Sequence, residues 1–296
     1  MKEKKNIALL SVASNTLLIA LKLVVGIMTG SVSVISEAVH SATDWLAAVI
    51  AFTAVKISAM PPDENHPYGH EKIENVSGVI EGLLIIVAAI WIIAESVKKL
   101  TSGHVVAGAG WGFGVMLISA AVNTFVSKKL YKVARAEDSM ALEADALHLK
   151  ADVYTSLGVA AGLFLLWVTG LHFLDPLVAI LVAVFILKEA LTLTKNAFEP
   201  LMDARLSDED LSVVKDVLKS CEDKFVDVHN LRTRKSGKIR YIDFHMTMCK
   251  QISLEDANKI SSEVEADLKN KIPNCEILIH LDPCKDDNNP KCMVKK

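Results

Sequence analysis

The sequence predicts a membrane all-α bundle of six transmembrane helices, followed by a small cytoplasmic α/β domain of order α-β-β-α-β. Three observations carry this prediction. Hydrophobic residues make up 51% of the chain. Several runs approach the ~20 apolar residues that span a bilayer. After about residue 203 those runs give way to amphipathic and alternating patterns. The net charge of −3 argues for no nucleic-acid partner. The lipid bilayer is the partner that composition implies.

The six spans fall at about 6–28, 32–56, 76–97, 109–130, 142–168 and 173–194. The first begins like a signal peptide, but its apolar run continues to Met28 with polar residues where cleavage would occur. It is therefore expected to stay as a helix. Lys22 within it is expected to snorkel or to pair with Glu37 or Glu81. Lysines and arginines concentrate on one side of the bundle, from Lys2, Lys4 and Lys5 to Lys128, Arg135 and Lys195. The other side carries only Lys98 and Lys99. That asymmetry predicts a multi-pass protein with both termini in the cytoplasm.

The domains are expected at 1–202, transmembrane, and 203–285, cytoplasmic, with a flexible tail at 286–296. Ser207 and Ser253 are expected to cap the two amphipathic helices. The first two strands should turn at Lys235-Ser236-Gly237, and "CEILIHLDP" should be the third. All five cysteines lie in the last third, without a regular framework, and reduced thiols are expected.

The chemistry begins with "SEAVHSATDWLAAVIAF", where Glu37, His40 and Asp44 interrupt an apolar span. One ionisable group at mid-bilayer costs at least ~2.5–3.5 kcal/mol on insertion scales. His40 and Asp44 are spaced i, i+4, which places both on one helix face. "DALHLKADVYTS" in the fifth span repeats the spacing with His148 and Asp152. Two such helices side by side present two imidazoles and two carboxylates to one point. That tetrahedral set suits Zn²⁺. Two carboxylates and one dication sum to zero charge, so a loaded site is cheap to bury. A lone pair would equally serve as an interhelical hydrogen bond; two matching pairs favour metal. A catalytic zinc keeps an open position, whereas four side chains close this shell. Carriage is expected rather than hydrolysis, although a membrane metal sensor stays open.

Two further sets carry metal-ligand residue types. Asp63, His66 and His70 lie in the loop "MPPDENHPYGHEKIE". His229, His245, His280 and Asp282 fall in the three strands, with Cys284 as a possible soft ligand. On spacing alone both could be incidental surface residues.

The stretches "SVSVISEAVHSATDWLA", "DENHPYGHEKIE", "EADALHLKADVYTSLGV" and "VHNLRTRKSGKIRYIDFH" together resemble the cation diffusion facilitators, dimeric zinc-type efflux transporters. The resemblance covers nearly the whole chain. It implies a plasma-membrane homodimer that exchanges divalent metal ions for protons, without being an enzyme. It implies transport at His40, Asp44, His148 and Asp152. It implies a loop site at Asp63, His66 and His70, and a metallochaperone-like cytoplasmic domain binding regulatory Zn²⁺ through His229, His245, His280 and Asp282. Asn258 stands where some members carry a further histidine, which bears on whether that domain holds one metal or two. Lys72 and Asp203 resemble an ion pair between protomers. Two histidines favour Zn²⁺, with Co²⁺ next, over Fe²⁺, Cd²⁺ or Mn²⁺.

Overall fold

Among the described residues, six long helices come first. They are α1 (Lys2–Thr29), α2 (Val32–Ser58), α3 (Lys72–Ser102), α4 (Gly110–Glu137), α5 (Met140–Thr169) and α6 (Leu174–Phe198). A 3₁₀ turn, Glu199–Met202, leads to α7 (Asp208–Ser220), β1 (Asp227–Ser236) and β2 (Ile239–Met248). Then follow α8 (Leu254–Lys271), β3 (Cys275–Pro283) and the one-turn α9 (Pro290–Met293). This computed structural model describes residues 2–29, 32–102, 110–169, 173–286 and 289–293. Some helical side chains fall outside the described residues, among them Lys22, Glu37 and His40. The chain divides into two units, Met1–Phe198 and Glu199–Lys296.

In the first unit α5 is apolar on nearly every face, the pattern of a helix buried all round. Its Leu142, Ala146 and Leu149 join a cluster with Ile7, Val55, Val126 and Leu130 from α1, α2 and α4. Its Ala144, Leu147 and Ala151 join a second cluster with Ile85, Ala89, Ile186 and Ala190 from α3 and α6. α5 therefore sits between two apolar cores, and what remains of its circumference carries the polar residues. α3 and α6 form the most extensive helix pair. Gly78 and Gly82, one turn apart on α3, allow it. A Cβ at Gly78 would lie 3.1 Å from the Ala197 methyl, and one at Gly82 would collide with the Thr194 hydroxyl. Small residues at this spacing let helix backbones approach closely.

Among the described residues, Lys72–Lys98 and Pro176–Met202 are long and apolar enough to cross a membrane. The other long helices carry buried polar residues such as Asn15, Asp44, Asn123 and Asp145. One polar knot ties three helices to the turn between α4 and α5. The Glu74 carboxylate on α3 accepts from Lys4 Nζ at 3.0 Å and Ser58 Oγ at 2.7 Å, and also from Ser139 Oγ.

The second unit is a three-stranded sheet with order β1-β2-β3. β1 and β2 are antiparallel, and β3 is parallel to β2. Along β2, Ile242, Phe244, Met246 and Met248 point inward and pack with Val214, Val217, Val264 and Leu268 from α7 and α8. The intervening Asp243, His245 and Thr247 point to the other face, as strand alternation requires. Ser207 and Ser253 cap α7 and α8, accepting from Asp210 N at 3.2 Å and Asp256 N at 3.0 Å. The hairpin turns one residue later than expected, at Gly237-Lys238. Gly237 takes φ 53° there, a value glycine adopts at no steric cost.

One expectation changes. Cys249 and Cys292 are joined as a disulfide with Cα atoms 5.3 Å apart, whereas reduced thiols were expected throughout. Among the described residues beyond 285 is α9. Lys291 holds α9 in place by donating to the Glu222 carbonyl at 2.7 Å and the Phe225 carbonyl at 3.2 Å.

Candidate metal centres

The first centre is built by α2 and α5. Asp44, His148 and Asp152 each offer one ligand atom, and these atoms lie within 4.8 Å of one another. The i, i+4 spacing on α5 places His148 and Asp152 one turn apart, facing α2. His148 Nε2 lies 3.2 Å from Asp44 Oδ1. Asp44 is only 6% exposed and the His148 side chain 12%, so water screens the pair weakly. The Nδ1 atom of His148 is buried with no hydrogen-bond partner among the described residues. The His40 side chain, the expected fourth ligand, lies outside the described residues; its backbone sits one turn before Asp44 on α2.

Two buried carboxyl groups next to this centre were not singled out as ligands by spacing. Asp145 lies one turn before His148 on α5 and is fully buried. Glu81 on α3 is also fully buried and accepts from Ser77 Oγ at 2.9 Å. The signal was available for Asp145: position i−3 from His148 shares its helix face. For Glu81 no local signal existed, because α3 reaches the site only in the folded bundle.

The second centre lies between α2 and α3. Asp63, His66 and His70 also place ligand atoms within 4.8 Å. Asp63 Oδ1 accepts from the backbone N–H of His66 at 2.7 Å and of Asn65 at 2.9 Å. These bonds, that of His66 first, hold the Asp63 carboxyl below the usual carboxylate range. His66 Nδ1 lies 3.2 Å from Oδ1, and His70 Nε2 lies 3.3 Å from Oδ2. One carboxylate thus gathers both imidazoles in a mostly exposed loop. Such an arrangement can take up and release a cation readily.

The third centre lies on the sheet face opposite the helices. The register sets His229 against His245 and His245 against His280, so three imidazoles stand in one row. Asp282 follows His280 by two residues and shares its face. His229, His245 and Asp282 form the close set. Asp282 Oδ2 lies 2.8 Å from His245 Nδ1 and 3.4 Å from His229 Nε2. The His245 contact chiefly holds the Asp282 carboxyl below its usual range. A bulge after His229, with Asn230 at φ 53°, re-aims that end of β1.

His280 stands outside the close set: it is 64% exposed, and its Nε2 lies 3.4 Å from the other oxygen, Asp282 Oδ1. Asp227 joins the neighbourhood, its Oδ2 3.5 Å from His229 Nδ1. The i, i+2 spacing of Asp227 and His229 was the readable signal for it. Cys284 is buried, and its thiol donates to the Asp286 carbonyl at 3.3 Å. Asn258 is exposed on α8. Asp203 lies 3.7 Å from Arg234 Nη1, within its own unit.

Comparison with known proteins gives a consistent result. The cation efflux transmembrane domain matches residues 8–202, and the cation efflux protein cytoplasmic domain matches residues 206–284. The uncharacterized transporter sll1263 of Synechocystis sp. is 32% identical over 279 residues, 94% of this chain and 90% of that protein. The cation-efflux pump FieF of Serratia proteamaculans is 31% identical over 280 residues, covering 95% of this chain and 93% of its own. FieF of Escherichia coli is 30% identical over 277 residues, with shares of 94% and 92%.

Proposed function

Because the chain belongs to the cation diffusion facilitator family, whose members are integral membrane transporters of divalent cations and not enzymes, we propose that it exports Zn²⁺ from the cytoplasm in exchange for protons. The observation that supports this reading is the largely buried Asp44–His148–Asp152 set bridging α2 and α5. In this proposal residues 1–202 are the transport domain, with six spans and both termini cytoplasmic. Residues 203–285 bind regulatory metal and dimerise, in keeping with the dimer-forming class of the matched cytoplasmic domain.

The mechanism follows from charge. His148 Nε2 lies 3.2 Å from Asp44 Oδ1, so a proton held between them occupies the place a metal takes. A cation arriving from the cytoplasm needs the deprotonated forms and displaces that proton. His40 completes the four-ligand set. Two carboxylates and Zn²⁺ then make a neutral unit that the bundle can enclose. α2 and α5 move so that the same ligands face outside, and the metal leaves. Protons return to the imidazoles, whose unperturbed value of about 6.5 suits exchange near neutral pH. Without them the emptied site would leave bare carboxylates in hydrocarbon. The loop set at Asp63, His66 and His70 receives cations at the cytoplasmic mouth. The sheet-face set, with His280 as a further donor, senses cytoplasmic metal.

Metal uptake by proteoliposomes tests the cargo. Zn²⁺ should move fastest, Co²⁺ next and Mn²⁺ slowest, because imidazole donors favour the borderline ions. Mn²⁺ moving faster than Zn²⁺ would overturn the metal assignment. Metal binding without flux in folded protein would leave a membrane sensor instead.

A further inference from the structure

A polar recess on the bundle is lined by none of the metal-centre residues. It is a cavity of about 610 Å³ lined by α4, α5 and α6. Four cations line it: Lys128, Lys132 and Arg135 on α4, and Lys150 on α5. Two carboxylates, Glu143 and Glu189, also line it, so the recess carries a surplus of two positive charges. The Lys150 ammonium lies 5.7 Å from the Tyr131 ring centroid and 5.4 Å from that of Tyr154, both in the lining. This holds one cation in place between two aromatic rings.

The surroundings are graded. Phe125 lies one turn before Lys128 on α4, and it is 58% exposed. Phe185 lies one turn before Glu189 on α6, is 47% exposed, and meets the Tyr154 ring edge-on at 5.5 Å. Both aromatics lie toward the middle of their helices, and the cations lie toward the ends. By helix rise, Lys132 and Arg135 sit within about 8 Å of the end of α4 at the loop that joins it to α5, with Lys128 and Lys150 deeper. That is the depth of a headgroup region when long helices project beyond the hydrocarbon.

We propose that this recess binds the phosphate of an anionic phospholipid from the cytoplasmic leaflet. The cations and tyrosine hydroxyls take the phosphate, and Phe125 and Phe185 line the path of the acyl chains. A free phosphate would use the cations but not the apolar flank, and the flank therefore favours the lipid. Basic recesses between helices on the cytoplasmic side take such headgroups. The inference rests on the membrane orientation proposed above. Its test uses detergent-solubilised protein, where binding is read without metal flux or sidedness, so the two readings fail separately.

Purified full-length protein is titrated with phosphatidylglycerol, with phosphatidylcholine and with inorganic phosphate, and bound adducts are counted by native mass spectrometry. Phosphatidylglycerol should bind saturably and more tightly than phosphatidylcholine. Removing one surface cation should weaken it about fivefold, and two cations about 25-fold. Lys132→Gln and Lys128→Gln/Lys132→Gln supply those steps at exposed positions that do not hold the fold. Lys150→Gln should weaken binding as well, whereas Lys56→Gln, exposed on α2, should leave it unchanged. Equal affinity for the two lipids, or an unchanged affinity in the double variant, would overturn the proposal. Displacement of the lipid by millimolar inorganic phosphate would assign the recess to a soluble anion and overturn it too.

Discussion

The bundle and the sheet hold the same chemistry under opposite conditions. Asp44, His148 and Asp152 gather imidazole and carboxylate where little water reaches; His229, His245 and Asp282 gather them on an open sheet face. In the bundle a bare carboxylate is expensive, so its charge must always be matched by a proton or a metal. On the sheet, solvent screens every member, and the set can stand empty or loaded at little cost. The first condition suits a coupled carrier. The second suits a sensor that follows free metal.

The largest expected effect comes from breaking the buried set. Asp44→Ala should lower Zn²⁺ flux by more than the ~10–100-fold that outer-shell changes cost at metal sites. Flux assays on protein checked for folding by size-exclusion chromatography measure this. A buried carboxylate without metal partners sharpens the comparison. Glu74→Ala strands Lys4 and two serines, and should destabilise the bundle by about 3–5 kcal/mol. Denaturant unfolding of the detergent-solubilised protein would show it, and an unchanged midpoint would mean that burial alone does not set the cost.

On the sheet, Asp282→Ala should weaken metal binding to the cytoplasmic domain by on the order of tenfold. Flux at saturating metal should stay within a few-fold of wild type. Calorimetric titration and flux together separate the two sites, and a loss of flux as severe as that of Asp44→Ala would erase the distinction drawn here.

The smallest effect belongs to an exposed pair. Lys224 Nζ lies 2.9 Å from Glu263 Oε2, and that hydrogen bond holds the Glu263 carboxyl below its usual 4.5. A depressed carboxyl contributes stability that is complete above 4.5 and lost as pH falls through the lower folded value. The same bond raises Lys224 above 10.5, so its share is complete below 10.5 and fades at higher pH. The difference in melting temperature between wild type and Glu263→Gln should be small at neutral pH and smaller still near pH 3.

What the sequence disclosed was mostly local. The i, i+4 pairs, the serine caps and the alternation of β2 each depend on a few neighbouring residues, and each could be read directly. The sheet-face row was readable only in part. Spacing places His280 on the right strand, but its distance from His245 and His229 depends on the register across three strands. The Glu74 knot joins Lys4, Ser58 and Ser139 from distant segments, and no periodicity announces it. The Cys249–Cys292 bond closes 43 residues and likewise has no local mark.

The most direct test of the central claim is Zn²⁺ uptake into proteoliposomes under an imposed pH gradient, wild type against Asp152→Ala. The account predicts flux in wild type that stops when the gradient is dissipated, and none in the variant. Flux that ignores the gradient, or that survives in Asp152→Ala, would contradict proton-coupled transport through the buried site.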